Sequence, residues 1–257
     1  MCAHQPAGSE GDIHSPYDAI ADFYQRAWAD WYLPSIRPFL QRFLFSALPA
    51  NSAVLDVCCG CGHVTREVVA QGFDVLGIDT SRELLARASL LTPNAKFLAA
   101  DIRSFSVSRP FDGALSTFDS LNHLLTYADL CSAFRCIHAA LKPGAPFVFD
   151  MNLEEAYSLD LGAWVRYADE HANGFVRGSY DALRRRAKTD LIWFARTEDP
   201  DLWRRSETTV EEQCYSREEI ESAVRAAAFR ELECYSAAEA GVTDELGYGR
   251  IYARAWA

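Results

Sequence analysis

The 257-residue sequence has no apolar run that approaches 18 residues, the length that a membrane-spanning helix needs. Residues 1–15 also lack the charged start and the apolar stretch of a secretory signal peptide. The sequence therefore predicts no membrane partner, a cytoplasmic location and a disordered segment over residues 1–15.

Basic residues are scarce as well. The 25 lysines and arginines stand against 36 aspartates and glutamates, which gives a formal net charge of −11. Arg184, Arg185 and Arg186 form the longest basic run. Because an acidic surface repels phosphate backbones, no nucleic-acid partner is predicted, and a neutral or cationic small molecule is favoured as substrate.

The eight cysteines do not form the two paired knuckles that a structural zinc site uses. Cys58, Cys59 and Cys61 lie close together, but no second Cys or His pair follows at a suitable spacing. We therefore expect no metal site, and we interpret the cluster as small side chains that fill a tight turn. Disulfides are not expected in a cytoplasmic protein.

The most informative segment that is present is VLDVCCGCGHV, residues 54–64. It predicts a strand buried on both faces, which contains Asp56, followed by a turn with Gly60 and Gly62 and then by a helix. Glycines in such a turn let the backbone approach a nucleotide-like ligand. Thr65 replaces the third glycine of the dinucleotide fingerprint, which argues against NAD.

Polar residues follow the next three predicted strands, residues 73–78, 96–100 and 111–117. Asp79 comes 23 residues after Asp56, close to where a Rossmann-type sheet places the acid that binds ribose hydroxyls. Ligands of such sheets bind at the carboxyl ends of the strands. The candidate cofactor-binding residues at these ends are Asp79, Thr80, Asp101, Ile102, Thr117, Phe118 and Ser120.

In order and spacing, five segments resemble the class I S-adenosylmethionine (SAM)-dependent methyltransferases, closely over about residues 50–155: VLDVCCGCG, VLGIDTS, FLAADIRSF, FDGALSTFDSLNHL and ALKPGAPFVFDMN. The resemblance implies SAM as cofactor and S-adenosylhomocysteine as product. It also implies an α/β, Rossmann-like fold: a seven-stranded, mostly parallel sheet with helices on both faces and a closing antiparallel hairpin. Within the family, the chain is similar to the small-molecule N-methyltransferases.

The resemblance extends the SAM site to an aromatic helix predicted over residues 17–31, which in similar enzymes folds over the cofactor. Tyr24 is expected near the sulfonium, where a cation–π contact is favourable, and is also a candidate catalytic residue. Core packing is the alternative for this helix, which we expect Pro34 to interrupt. The other cofactor-binding residues that the resemblance implies are Trp31, Arg37, Asp56, Cys58, Gly60 and Gly62.

Cys58 departs from the family motif, in which glycine is usual. We expect Cys58 to keep an extended backbone, which tolerates a side chain.

His123 is the candidate general base, because it follows the fourth strand, where similar enzymes place catalytic residues. An imidazole can take a proton from an ammonium or a hydroxyl group, and a structural histidine bonded to backbone or cofactor is the alternative. The sequence thus predicts methyl transfer to a small-molecule acceptor, with an amine favoured. An O-methyltransferase and a regulatory protein that binds SAM without turnover remain alternatives.

Residues 152–213 predict an inserted antiparallel sheet between the fifth strand and the last helix, with strands over residues 174–183, 187–196 and 202–212. The SAM-binding domain would then comprise residues 16–151 and 214–257. The insertion is either a lid that forms a substrate wall or an edge sheet that enlarges the core or makes a homodimer contact.

Overall fold

The computed structural model describes residues 15–158, 164–199 and 201–257. Residues 1–14, which belong to the segment expected to be disordered, lie outside this part. Within it, two separate sheets are present. None of the helices described is long and apolar enough to cross a membrane.

The helices and strands alternate along the first half of the chain. The helices are α1 (Ala21–Phe23), a π-helix (Tyr24–Ala29), α2 (Asp30–Phe43), α3 (His63–Ala70), α4 (Arg82–Leu91), α5 (Tyr127–Ala139), α6 (Glu154–Tyr157), α7 (Arg217–Ala226) and α8 (Ala237–Ala240). The strands are β1 (Ala53–Val57), β2 (Asp74–Asp79), β3 (Lys96–Ala99), β4 (Gly113–Ser116), β5 (Pro146–Asn152), β6 (Val165–Ala168), β7 (Ala172–Asp181), β8 (Arg186–Arg196), β9 (Trp203–Gln213), β10 (Glu231–Tyr235) and β11 (Arg250–Trp256).

The large sheet has the strand order β10-β11-β5-β4-β1-β2-β3. Strands β1 to β5 pair in parallel, whereas β11 runs antiparallel to both β5 and β10. The predicted seven-stranded, mostly parallel sheet with a closing hairpin is therefore confirmed. The carboxyl ends of β1, β2 and β4 lie at the same edge of this sheet, and the candidate site is located there.

Both faces of the sheet are buried, as the apolar run of β1 predicts. Leu55 packs into a core that includes Phe134 on α5, and Val54 packs into the opposite core with Phe39 on α2. Each fully buried side chain of this kind contributes about 1.5–3 kcal/mol to folding. The two cores hold the strand ends in fixed positions relative to one another.

The expected interruption at Pro34 is wrong. Helix α2 continues through both Pro34 and Pro38. A proline clashes with the carbonyl four residues earlier, which for Pro34 lies at the start of α2, where the wider π-helix meets it. The buried apolar face of α2 offsets the remaining cost, about 3 kcal/mol for a proline inside a helix.

The inserted sheet has the order β6-β7-β8-β9, all antiparallel. Three strands lie where the sequence predicts them, and the short edge strand β6, with sequence VRYA, was not predicted. Ile20 and Phe23 of the N-terminal helical segment pack against Leu191, Trp193 and Val210 of this sheet. The N-terminal segment thus lies between the inserted sheet and the strand ends of the large sheet.

Candidate active site

The turn after β1 requires glycine at two positions. Gly60 and Gly62 have φ values of +54° and +79°, in the left-handed region. A Cβ on Gly62 would lie 2.9 Å from the Cβ of Ala88, and one on Gly60 would lie 3.3 Å from the ring of Tyr24. The turn therefore exposes backbone, not side chains, to the space beneath Tyr24.

Cys58 does not have the extended backbone that we expected. Its φ is +60°, again in the left-handed region. A side chain in that region costs of order 1–3 kcal/mol, which gives a physical reason why glycine is usual at this place in the motif. The two hydrogen bonds that follow in the turn, from Cys59 N to the carbonyl of Ile78 and from Gly62 N to the carbonyl of Cys59, both 3.0 Å, hold the strained residue in place.

Asp79 joins the end of β2 to the glycine turn. Its carboxylate accepts the backbone N–H of Gly60 at 2.9 Å and that of Ser81 at 2.8 Å. Burial raises the pKa of Asp79 in spite of these bonds. Thr80 follows directly, and Ser81 caps α4 as its side chain accepts the N–H of Leu84. The carboxylate keeps further lone pairs for a ligand, since each oxygen can accept more than one hydrogen bond.

Asp56 is buried beneath the turn and accepts the hydroxyl hydrogen of Thr65 at 2.5 Å. Thr65, which replaces the third glycine of the dinucleotide fingerprint, therefore binds the acid of β1. Burial raises the pKa of Asp56 to about 7.

This raised pKa predicts a specific pH dependence of stability. A carboxyl group whose pKa is higher in the folded than in the unfolded state lowers the free energy of unfolding as the pH rises from about 4 to 7. Asp56→Asn removes this loss, so the variant should gain about 2–3 kcal/mol relative to the wild type between pH 5 and pH 8. Urea unfolding of both proteins at the two pH values measures the difference. If the free energies of unfolding of the two proteins differ by the same amount at pH 5 and at pH 8, Asp56 is ionised at both pH values.

The structure brings Tyr24 to the turn but not the other two predicted residues of the N-terminal helices. The ring of Tyr24 lies over Gly60, whereas Trp31 is 47% exposed on α2. The Arg37 guanidinium makes two 3.0 Å hydrogen bonds to the carboxylate of Glu67 at the surface. Neither Trp31 nor Arg37 is among the residues that line the small cavity next to the glycine turn.

The ends of β3 and β4 supply the remaining predicted residues. Asp101 is paired with Arg103 at 2.5 Å, and Ile102 is buried beside it. The hydroxyl of Ser120 donates to the carbonyl of Thr117 at 2.8 Å. One small cavity is lined by residues of the N-terminal helices, of β1 and the turn after it, and of the segment after β4, among them Tyr24, Tyr32, Asp56, Cys58, Thr117 and Phe118.

The turn after β4 has two consecutive residues with positive φ, Phe118 at +63° and Asp119 at +47°. The hydroxyl of Tyr32 accepts the N–H of Phe118 at 2.8 Å, and its ring stacks on that of Phe118. Arg250, on β11, donates to Asp119 at 2.9 Å and also to Asp150. A buried ionic network therefore holds a strained turn at the site.

His123 ends the short 3-10 helix Ser120–His123 that follows this turn. Its Nδ1 lies 2.9 Å from the backbone carbonyl of Glu211, and its Nε2 lies 2.9 Å from the hydroxyl of Tyr17. Because a carbonyl can only accept, Nδ1 must carry the hydrogen. Nε2 of the neutral ring is then a proton acceptor.

Sequence reasoning missed Glu212 and the contact of Tyr17. Glu212 accepts the hydroxyl hydrogen of Tyr157 at 2.7 Å and lies 4.0 Å from Nε2 of His123. Burial, with Asp119 nearby, raises the pKa of Glu212. The sequence pattern gave a partial indication of Glu212, because alternation along β9 places Val210 and Glu212 on the same, inward face.

The residues at the turn fit SAM. A Cβ on Gly60 would lie against the ring of Tyr24, which covers the turn, and the acid Asp79 is hydrogen-bonded to the N–H of the same glycine. Among residues 15–158, 164–199 and 201–257, no group of three or more His, Cys, Asp or Glu side chains could hold a metal ion.

Comparisons with known proteins agree with this geometry. Residues 54–144 match the family described as Methyltransferase domain. Putative methyltransferase YqeM of Bacillus subtilis (strain 168) is 29% identical over 143 residues, which cover 54% of this chain and 50% of that protein. The dTDP-3-amino-3,4,6-trideoxy-alpha-D-glucopyranose N,N-dimethyltransferase of Streptomyces venezuelae is 28% identical over 144 residues, which cover 56% of this chain and 54% of that protein. The chain thus spans about half the length of these curated relatives.

A solved structure shows the same fold over nearly the whole chain. The S-adenosylmethionine-dependent methyltransferase from Clostridium acetobutylicum ATCC 824 superposes with a TM-score of 0.75 at 20% identity, covering 94% of this chain and 99% of that one. The matched domain coincides with the glycine turn and the strands that surround it. Residues 54–144 therefore form a methyltransferase domain, and the chain as a whole has the fold of a SAM-dependent methyltransferase.

Proposed function

We propose that this protein transfers a methyl group from SAM to the nitrogen of a small-molecule amine. The observation that carries the proposal is the position of His123, whose Nε2 is a proton acceptor at the same sheet edge as the glycine turn. The relative from Streptomyces venezuelae, whose name is that of an amino-sugar N,N-dimethyltransferase, supports nitrogen as the target atom.

Within this proposal, residues at the carboxyl edge of the large sheet bind different parts of SAM. Asp79 accepts hydrogen bonds from the ribose hydroxyls, and Gly60 and Gly62 bring the backbone close to the cofactor. Tyr24 covers the turn, where a cation–π contact with the sulfonium is favourable. The residues after β3 and β4, namely Asp101, Ile102, Thr117, Phe118 and Ser120, complete the cradle.

SAM, when bound, supplies an activated methyl group, so the protein's contribution is mainly positioning and the exclusion of water. The N-terminal segment between the two sheets covers the edge, and Tyr17 extends from it to His123. His123 can accept the proton that an ammonium group must lose before its nitrogen becomes a nucleophile.

The role of His123 predicts a loss of turnover without a loss of cofactor. His123→Ala should lower kcat by about 10²–10⁴-fold, while the Kd of SAM changes by no more than a few-fold. His171→Ala, which removes an exposed histidine of the inserted sheet, is the matched control and should leave kcat unchanged. Should the affinity for SAM fall instead, with saturated turnover preserved, His123 would be a cofactor contact and not a base.

An acceptor panel tests the proposed reaction. It pairs amines with alcohols of the same shape and begins with dTDP-3-amino sugars, since the relative from Streptomyces venezuelae is named for one. We expect release of S-adenosylhomocysteine with amines. Release with the alcohols alone would indicate an O-methyltransferase, and SAM binding without release across the panel would indicate the regulatory alternative.

The predicted homodimer contact and the cytoplasmic location remain proposals. Exposed apolar side chains of the inserted sheet, Trp164, Val165 and Trp203, lie on or next to its edge strands β6 and β9, which supports a contact there. Light scattering distinguishes a dimer from a monomer. The net charge of −11 supports a small-molecule partner over nucleic acid.

A further inference from the structure

We propose that Glu212 binds the ammonium group of the acceptor and positions its nitrogen beside His123. This inference rests on the N-methylation proposed above and names the residue that selects an amine.

Glu212 is oriented as a binding group. Its Oε2 is fixed by the 2.7 Å hydrogen bond from Tyr157, and its Oε1 lies 4.0 Å from Nε2 of His123. Oε1 makes no hydrogen bond within the described part of the chain. The hydroxyl of Tyr17 lies 2.9 Å from the same Nε2, so a carboxylate oxygen, an imidazole nitrogen and a phenol converge on one place.

The charges around this place do not balance. Asp119 and Asp150 share one guanidinium, that of Arg250, which donates to both. Glu212 is mostly buried, with 14% of its side chain exposed, and has no cationic partner in the described residues apart from His123 when that ring is protonated. A buried carboxylate without a cation is costly, so a positively charged ligand is favoured beside Glu212.

An ammonium group can bind the carboxylate and the imidazole at once, when the Tyr17 hydroxyl turns away from Nε2. It can donate one N–H to Oε1 of Glu212 and give a second proton to Nε2 of His123, which leaves a neutral amine with a free lone pair and an imidazolium ring. The remaining N–H stays bonded to Glu212, so the lone pair is held in one direction. An alcohol of the same shape carries no positive charge and gains less from the carboxylate.

Glu212→Gln tests this role, because it removes the charge and keeps the shape. For any amine that the wild type methylates, the variant should raise KM by about 10–100-fold, with kcat and the Kd of SAM within about three-fold. Its preference for that amine over the matching alcohol should fall by the same factor. Glu207→Gln, on the same strand but on the opposite, exposed face, is the matched control and should change none of these values.

Glu212→Asp keeps the charge and should recover most of the affinity for the amine, which a purely structural role would not require. If Glu212→Gln fails to fold, wild-type protein provides the second test, in which n-butylammonium should compete with the amine at least ten-fold better than n-butanol. Equal competition, or an unchanged KM in a folded Glu212→Gln protein, would overturn the role of Glu212. A wild type that methylates no amine would instead overturn the proposed function.

Discussion

Replacing Asp79 by Ala should raise the Kd of SAM by about 10²–10⁴-fold. Two charge-assisted hydrogen bonds to the ribose hydroxyls are lost, each of about 1.5–3 kcal/mol when well formed. The N–H groups of Gly60 and Ser81, which both donate to Asp79, also lose their acceptor, so the turn becomes less well ordered. Titration calorimetry with SAM measures the change.

Asp74→Ala is the matched control for this experiment. Asp74 lies at the other end of β2, where its carboxylate pairs with Arg109 at the surface. This variant should bind SAM with the affinity of the wild type. An unchanged Kd in Asp79→Ala would mean that Asp79 does not bind the ribose and that the proposed orientation of SAM is wrong.

Replacing Arg250 by Met should lower the free energy of unfolding by about 3–5 kcal/mol, because Asp119 and Asp150 are left buried without a cation. The loss should be smaller at pH 5 than at pH 7.5, since protonation removes the uncompensated charge. Urea unfolding at both pH values measures the effect. A deficit that does not change with pH would indicate that lost packing, not charge, is responsible.

Arg254→Met provides the comparison on the same strand. Arg254 pairs with Glu233, and both side chains are partly exposed, so this variant should lose about 1 kcal/mol or less. Equal losses in the two variants would contradict the importance assigned to the buried network around Arg250.

The large sheet could be predicted because its signals are local. The apolar run of β1 is buried on both faces, and the acid and glycines that follow it are adjacent in the chain. The conformations that sequence reasoning missed depend on surroundings. Cys58 takes a positive φ because the bonds of the turn hold it there, and α2 tolerates Pro34 because a π-helix precedes it and its apolar face is buried.

In the candidate site, too, local features could be predicted from the sequence, whereas contacts between distant residues could not. His123 could be named from its place after the fourth strand, but its partner Tyr17 lies 106 positions away along the chain. Arg250 and Asp119 are separated by 131 positions. Such pairs are created by the topology of the sheets, and neither alternation nor motif spacing carries information about them. Arg37 shows the same dependence on topology, since the sequence does not reveal that the fold places Glu67 beside its guanidinium.

The most direct test of the central claim follows the methyl group itself. The protein is incubated with SAM that carries a deuterated methyl group and with an amine that releases S-adenosylhomocysteine, and the product is analysed by mass spectrometry and NMR. We predict one deuterated methyl group on nitrogen for each S-adenosylhomocysteine formed. A label found on oxygen, or tight SAM binding with no labelled product from any amine, would contradict the account.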